Sequence, residues 1–243
     1  MTNNRIRCLI IFIVTGLLIF LIVGTIIYLV RRSEHRVVHP DACPRPKQYQ
    51  TNYDYDYTKN SKEFRNTDSS VDYFQLSLSW SPTFCGGKQN SHNLFQCQHV
   101  FGFVVHGLWP SKTKTGRGQS NNIHPRNCRN EPPIPADVIK KYFCLMPSEK
   151  LMQDEWEKHG TCYWQKPEDY FEKINYLYSK INIPNNINDI LNNGTLGYKS
   201  IKQSFIDINP QLKWEEINVM MRKNKLHEVA FCYDLNFNHI KCI

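Results

Sequence analysis

Glu155, Lys158 and His159 stand at i, i+3 and i+4 in the segment that follows Ser148, so on a helix their side chains project from one surface. An imidazole exchanges a proton near neutral pH, an ammonium holds developing negative charge, and a carboxylate orients its neighbours or raises their basicity. Such a set suits phosphoryl chemistry. On an arbitrary helix the same residues would be a solvated ion pair beside a surface histidine. Two features count against that reading. Gly160-Thr161-Cys162 follows at once, a stop whose cysteine can tie the helix end to another segment, and His106 supplies a second imidazole from within an apolar run. With two histidines, one can take a proton while the other gives one.

The elements that must position these groups are legible in the periodicity. Tyr73 to Trp80 alternates apolar and polar residues as a half-buried strand does, with Pro82 ending it. Phe101 to Trp109 is almost continuously apolar, which predicts a buried strand that Pro110 terminates and in which His106 must be either satisfied or used. A glycine-containing basic loop from Lys112 to Arg129 leads to Pro135, where Val138, Ile139, Tyr142 and Phe143 predict a helix. Ser148 is placed to cap the next helix, the one that carries Glu155, Lys158 and His159. Further helices are expected over 167–181 and 198–208, and a strand from Glu228 to Asp234, with an asparagine-rich loop over 182–193. The fold class is α+β, in one domain over 71–243.

Two segments, Val104-Val105-His106-Gly107-Leu108-Trp109-Pro110 and Glu155-Trp156-Glu157-Lys158-His159-Gly160-Thr161-Cys162, resemble the active-site segments of the ribonuclease T2 family, in order and in their separation of about fifty residues. The similarity extends weakly over Tyr73 to Cys242. This resemblance implies a central antiparallel sheet with several helices, and cleavage of single-stranded RNA by attack of the ribose 2′-hydroxyl on phosphorus, giving a 2′,3′-cyclic phosphate. No metal and no cofactor is implied. Carried over by position, His159 accepts the 2′-hydroxyl proton and His106 protonates the departing 5′-oxygen, while Glu155 and Lys158 stabilise the charged phosphorus centre. Trp109 lies beside a base, where an aromatic plane can stack on any nucleotide, or else serves only in packing. The sequence departs from the family at Asp154, where members often have a histidine that contacts phosphate. Either Asp154 points away and pairs with a lysine, or substrate affinity suffers. Ser111 stands where members commonly carry a base-reading carboxylate or amide, so no base preference is carried over.

Cysteine usage sets the compartment. Cys8 lies apart from eight others, at 43, 85, 97, 128, 144, 162, 232 and 242, an even number without a CxxC pair that reads as a disulfide framework formed in an oxidising environment. The family pattern pairs Cys128 with Cys162 and Cys232 with Cys242. For the rest, Cys85 with Cys97 and Cys43 with Cys144 competes with Cys97–Cys144 and Cys43–Cys85.

Before the domain, a tail over 1–8 leads to an uncharged apolar run over 9–30, enough to cross a bilayer as an uncleaved signal anchor. Residues 31–70 are polar and without period, a stem. The catalytic part is then expected on the lumenal or extracellular side, or secreted if the anchor is cut, with Asn193-Gly194-Thr195 a glycosylation acceptor consistent with that side. The net charge of +8 does not itself argue for RNA, because residues 1–40 hold five Arg against one Glu. A second reading keeps the fold but makes the chain a catalytically weak RNA-binding or cell-surface interaction protein, which would not need His106, Glu155, Lys158 and His159 together. A third, a disulfide-rich receptor ectodomain, leaves both motifs unexplained.

Overall fold

The alternation over Tyr73–Trp80 does form a strand, β1, and the apolar run forms a second, β2 (Phe103–Ser111), in the computed structural model, which describes residues 43–60, 62–86, 93–114, 121–185, 187 and 197–242. The expected membrane span over 9–30, Cys8 and Asn193 lie outside the described residues. Among the described residues no helix is long and apolar enough to cross a membrane.

After β1 come two short helices, α1 (Ser81–Gly86) and α2 (Phe95–Gln98), joined by the Cys85–Cys97 disulfide. Beyond β2 lie α3 (Ala136–Tyr142), α4 (Glu149–Lys158), α5 (Pro167–Ser179) and α6 (Tyr198–Ile208), then β3 (Ile217–Arg222) and β4 (Lys225–Tyr233). The strands form one antiparallel sheet in the order β2-β1-β4-β3. The α+β class and the antiparallel sheet therefore hold. Two elements differ from expectation. The β3–β4 hairpin starts earlier than Glu228, because Lys223 and Asn224 both take positive φ (48° and 59°) and close a tight turn without glycine. Pro110 does not end β2 but pairs with Phe74, which an edge strand permits since the missing N–H would face away from the sheet.

β1 is central, and Phe74, Leu76 and Leu78 are fully buried. α4 and α5 press Met152, Trp156, Tyr170 and Phe171 against β2, each buried, with about 1.5–3 kcal/mol for each such apolar side chain removed from water. The Leu108 amide donates to the Tyr170 hydroxyl at 3.2 Å within that layer, tying α5 to β2.

Of the polar stem expected over 31–70, the described residues among 43–70 pack as a layer of the domain instead. Cys43 is disulfide-bonded to Cys144, Arg45 donates to the Lys140 carbonyl (2.6 Å), and the Tyr49 ring meets Phe143 edge-on at 5.2 Å. Further along, the Tyr55 amide donates to Glu157, and Asn66 exchanges both backbone hydrogen bonds with Arg126 at 2.9 Å. Polar residues can be held this way because the partners are backbone groups and carboxylates, which leave no apolar period to read.

Candidate active site

His106 sits at an irregularity in β2. Ser77 pairs with Gly107 and Leu78 with Val105, so His106 is the extra residue of a bulge, a device that re-aims a side chain. Its Nδ1 lies 2.7 Å from Oε1 of Glu228 on β4. The carboxylate reaches across the intervening β1 because that strand carries only serines there, and Ser77 Oγ (2.9 Å) and Ser79 Oγ (3.4 Å) both donate to it.

Glu155, Lys158 and His159 are delivered by α4, which Ser148 caps through the Leu151 amide as its sequence position indicates. His159 is the C-cap of that helix, and Gly160 begins the turn that brings Cys162 to Cys128. A side chain at Gly160 would run into the Trp156 and Tyr170 rings. Glu155 is buried between the two imidazoles: Oε1 is 3.6 Å from His106 Nε2, and Oε2 is 3.9 Å from His159 Nε2. Oε2 also accepts from Trp109 Nε1 at 2.7 Å. That approach needs Gly107, since a Cβ there would collide with both the carboxylate and the indole nitrogen. Trp109 is thus fixed at one edge, with its ring centroid 5.2 Å from that of His106 and 5.7 Å from that of His159. Beside them opens a cleft of about 310 Å³ whose walls include Trp109, Ser111, Gln75, Arg126 and His159.

The two histidines are pushed in opposite directions. Burial pulls the His106 ring down, but the Glu155 and Glu228 carboxylates outweigh it and hold it above the ordinary 6.5. Burial holds His159 well below 6.5, and Arg126, Lys158, His106 and His124 add to the effect as neighbouring positive charges. Burial raises Glu155 above 4.5 against the pull of His106, the Trp109 hydrogen bond and Lys158. The two imidazoles, either side of one carboxylate, are therefore biased toward opposite protonation states.

All four residues expected to act from sequence are brought together, and Trp109 with them. Asp154 points away: its carboxylate pairs with Lys150 one turn back at 2.6 and 2.9 Å. Both disulfides implied by the family pattern are present, and the ambiguous four resolve as Cys43–Cys144 and Cys85–Cys97. Sequence reasoning missed Glu228, Arg126 and Glu63. Arg126 Nη1 lies 3.2 Å from His159 Nε2, and the Glu63 carboxylate contacts both Arg126 (2.6 Å) and Lys158 (3.3 Å). None lies in a motif, and Glu63 precedes the expected domain.

Residues 71–242 match the model of the ribonuclease T2 family. A "Probable ribonuclease" of Haemophilus influenzae is 33% identical over 201 residues, 79% of this chain and 68% of that one. That share is more than residues 71–242 amount to, so the aligned sequence extends ahead of residue 71. A "Ribonuclease" of Aeromonas hydrophila is 37% identical over 109 residues, 45% of this chain and 46% of that one. Among solved structures, trichomaglin, described as a novel S-like ribonuclease, superposes with a TM-score of 0.53 over 72% of this chain and 92% of that one, at 21% identity, a likeness of fold. Fold and relatives together define the class, an RNA-cleaving endoribonuclease. The chain belongs to the ribonuclease T2 family.

Proposed function

We propose that the chain cleaves single-stranded RNA without a metal, by transphosphorylation through a 2′,3′-cyclic phosphate. His159 takes the proton of the 2′-hydroxyl, that oxygen attacks phosphorus, and His106 gives its proton to the departing 5′-oxygen. The observation that carries this reading is the opposite bias of the two imidazoles around one buried carboxylate, His106 shifted toward its protonated form and His159 toward its neutral form. Both proton transfers are then supplied by the chain itself. Lys158 and Glu155 face the charge that develops on phosphorus, and Trp109 offers its ring face to a base at the cleft. The outward pairing of Asp154 removes the objection that a carboxylate would repel the phosphodiester.

The four disulfides fit an oxidising compartment, and the apolar run over 9–30 would hold the enzyme to the membrane with this domain on the lumenal or extracellular side, where the Asn193-Gly194-Thr195 sequence would be a glycosylation acceptor. The test is digestion of single-stranded RNA by the full chain in EDTA, with His159→Ala and His106→Ala beside it. Cyclic-phosphate ends should form, and each alanine variant should lose about 10²- to 10⁴-fold in rate. A folded, oxidised chain that binds RNA and leaves it intact would instead favour a binding role.

A further inference from the structure

Lys158 and His159 stand where a scissile phosphate is expected, yet the position that often supplies a further phosphate contact in the family is Asp154, and it is turned outward on Lys150. A cation from elsewhere occupies the neighbourhood. Arg126 lines the same cleft as Trp109 and His159, and its Nη1 reaches to 3.2 Å from His159 Nε2. We propose that Arg126 is a phosphate-binding residue of this site, and that Glu63, from the layer preceding the family domain, is its positioning residue; this rests on the ribonuclease reading above.

The guanidinium is gripped by one edge only. Glu63 Oε2 accepts from Arg126 Nε at 2.7 Å and contacts Nη2 at 2.6 Å, which leaves Nη1 directed at the His159 ring and the cleft. The planar fork lets one edge be anchored while the other serves a phosphate oxygen. The backbone of Arg126 is equally fixed: it exchanges both hydrogen bonds with Asn66, and the next residue, Asn127, holds a positive φ of 54° while its side chain donates to the Phe64 carbonyl. Phe64 also lies under the guanidinium at 5.4 Å. Glu63 reaches Lys158 with its other oxygen at 3.3 Å, so one carboxylate sets the spacing of two cations beside His159. Arg126 and Lys158 share the single Glu63 carboxylate, so that trio carries one positive charge toward a phosphodiester.

The test uses the full-length protein and inorganic phosphate as the probe, titrated by calorimetry, with the His159 ring followed by NMR across pH. The charged groups around that ring are Arg126, Lys158, His106, His124 and Glu155. Arg126→Ala should weaken phosphate binding on the order of tenfold and raise the pH at which His159 titrates. Arg126→Lys, which keeps the charge and the Glu63 contact, should restore most of the His159 titration but little of the phosphate affinity. Glu63→Ala should weaken phosphate as Arg126→Ala does, and the double variant should be no worse than Arg126→Ala alone. Unchanged phosphate affinity in folded Arg126→Ala would overturn the proposal. Tighter phosphate binding in Glu63→Ala would also overturn it, by making Glu63 an occupant of the phosphate position. Phosphate binding is read without RNA cleavage, so a chain that proved inactive on RNA yet lost phosphate with Arg126 would sink the reaction and leave this assignment standing.

Discussion

Nδ1 of His106 lies 2.7 Å from Oε1 of Glu228, across a central strand whose Ser77 and Ser79 hydroxyls hold the carboxylate in place. A hydrogen bond at Nδ1 fixes the ring so that Nε2 carries the transferable proton toward the site. Glu228→Gln should therefore move the alkaline limb of the pH–rate profile to lower pH and reduce kcat on the order of tenfold. A packing role alone would leave that limb where it is, and the profile measured from acid to alkaline pH separates the two.

The wild-type profile should be a bell with a broad top. On the proposed mechanism the reactive form has His106 protonated and His159 neutral, and since the first is held above 6.5 and the second well below it, that form is the majority species between them. The acid limb belongs to His159 and the alkaline limb to His106. An initial-rate series in EDTA checks this, and a rate still climbing at alkaline pH would count against the paired histidines as acid and base.

The same pair ties stability to pH. His106 is raised on folding, so its contribution is full below 6.5 and is lost as pH rises through the folded value; Glu228 is lowered, so its contribution is full above 4.5 and is lost as pH falls through the folded value. Between those limits the pair stabilises most. Denaturant midpoints of wild type and Glu228→Gln should differ most in that window and converge toward either extreme.

Gly107→Ala should destabilise by about 1–3 kcal/mol, because the added methyl has no room between the Glu155 carboxylate and the Trp109 indole. It should also break the 2.7 Å bond between them, so the loss of activity would exceed what unfolding explains. Chemical denaturation and rates at full folding measure the two effects apart.

Asp154→Ala should change RNA cleavage little, since the carboxylate is committed to Lys150 one turn back and such an i,i+4 helix pair contributes only about 0.3–0.5 kcal/mol. A strong gain in affinity for RNA would mean that Asp154 does face the substrate.

Elements whose signal is local could be read along the chain. The β1 alternation, the Ser148 cap with Glu155, Lys158 and His159 on one helical surface, and the two motifs around His106 and His159 depend on neighbours within a turn or a strand. Tertiary structure decided what depends on contacts between distant segments. Glu228 reaches His106 only because β4 is laid beside β1 and β1 carries serines where a larger side chain would block the way. Arg126 and Glu63 have no periodicity or motif to announce them, and neither does the layer over 43–70, which is held by the Cys43–Cys144 bridge, isolated ring contacts, the Glu63 ion pairs and hydrogen bonds to backbone and carboxylate groups. Such contacts depend on direction and distance in space, which composition and spacing along the chain do not record.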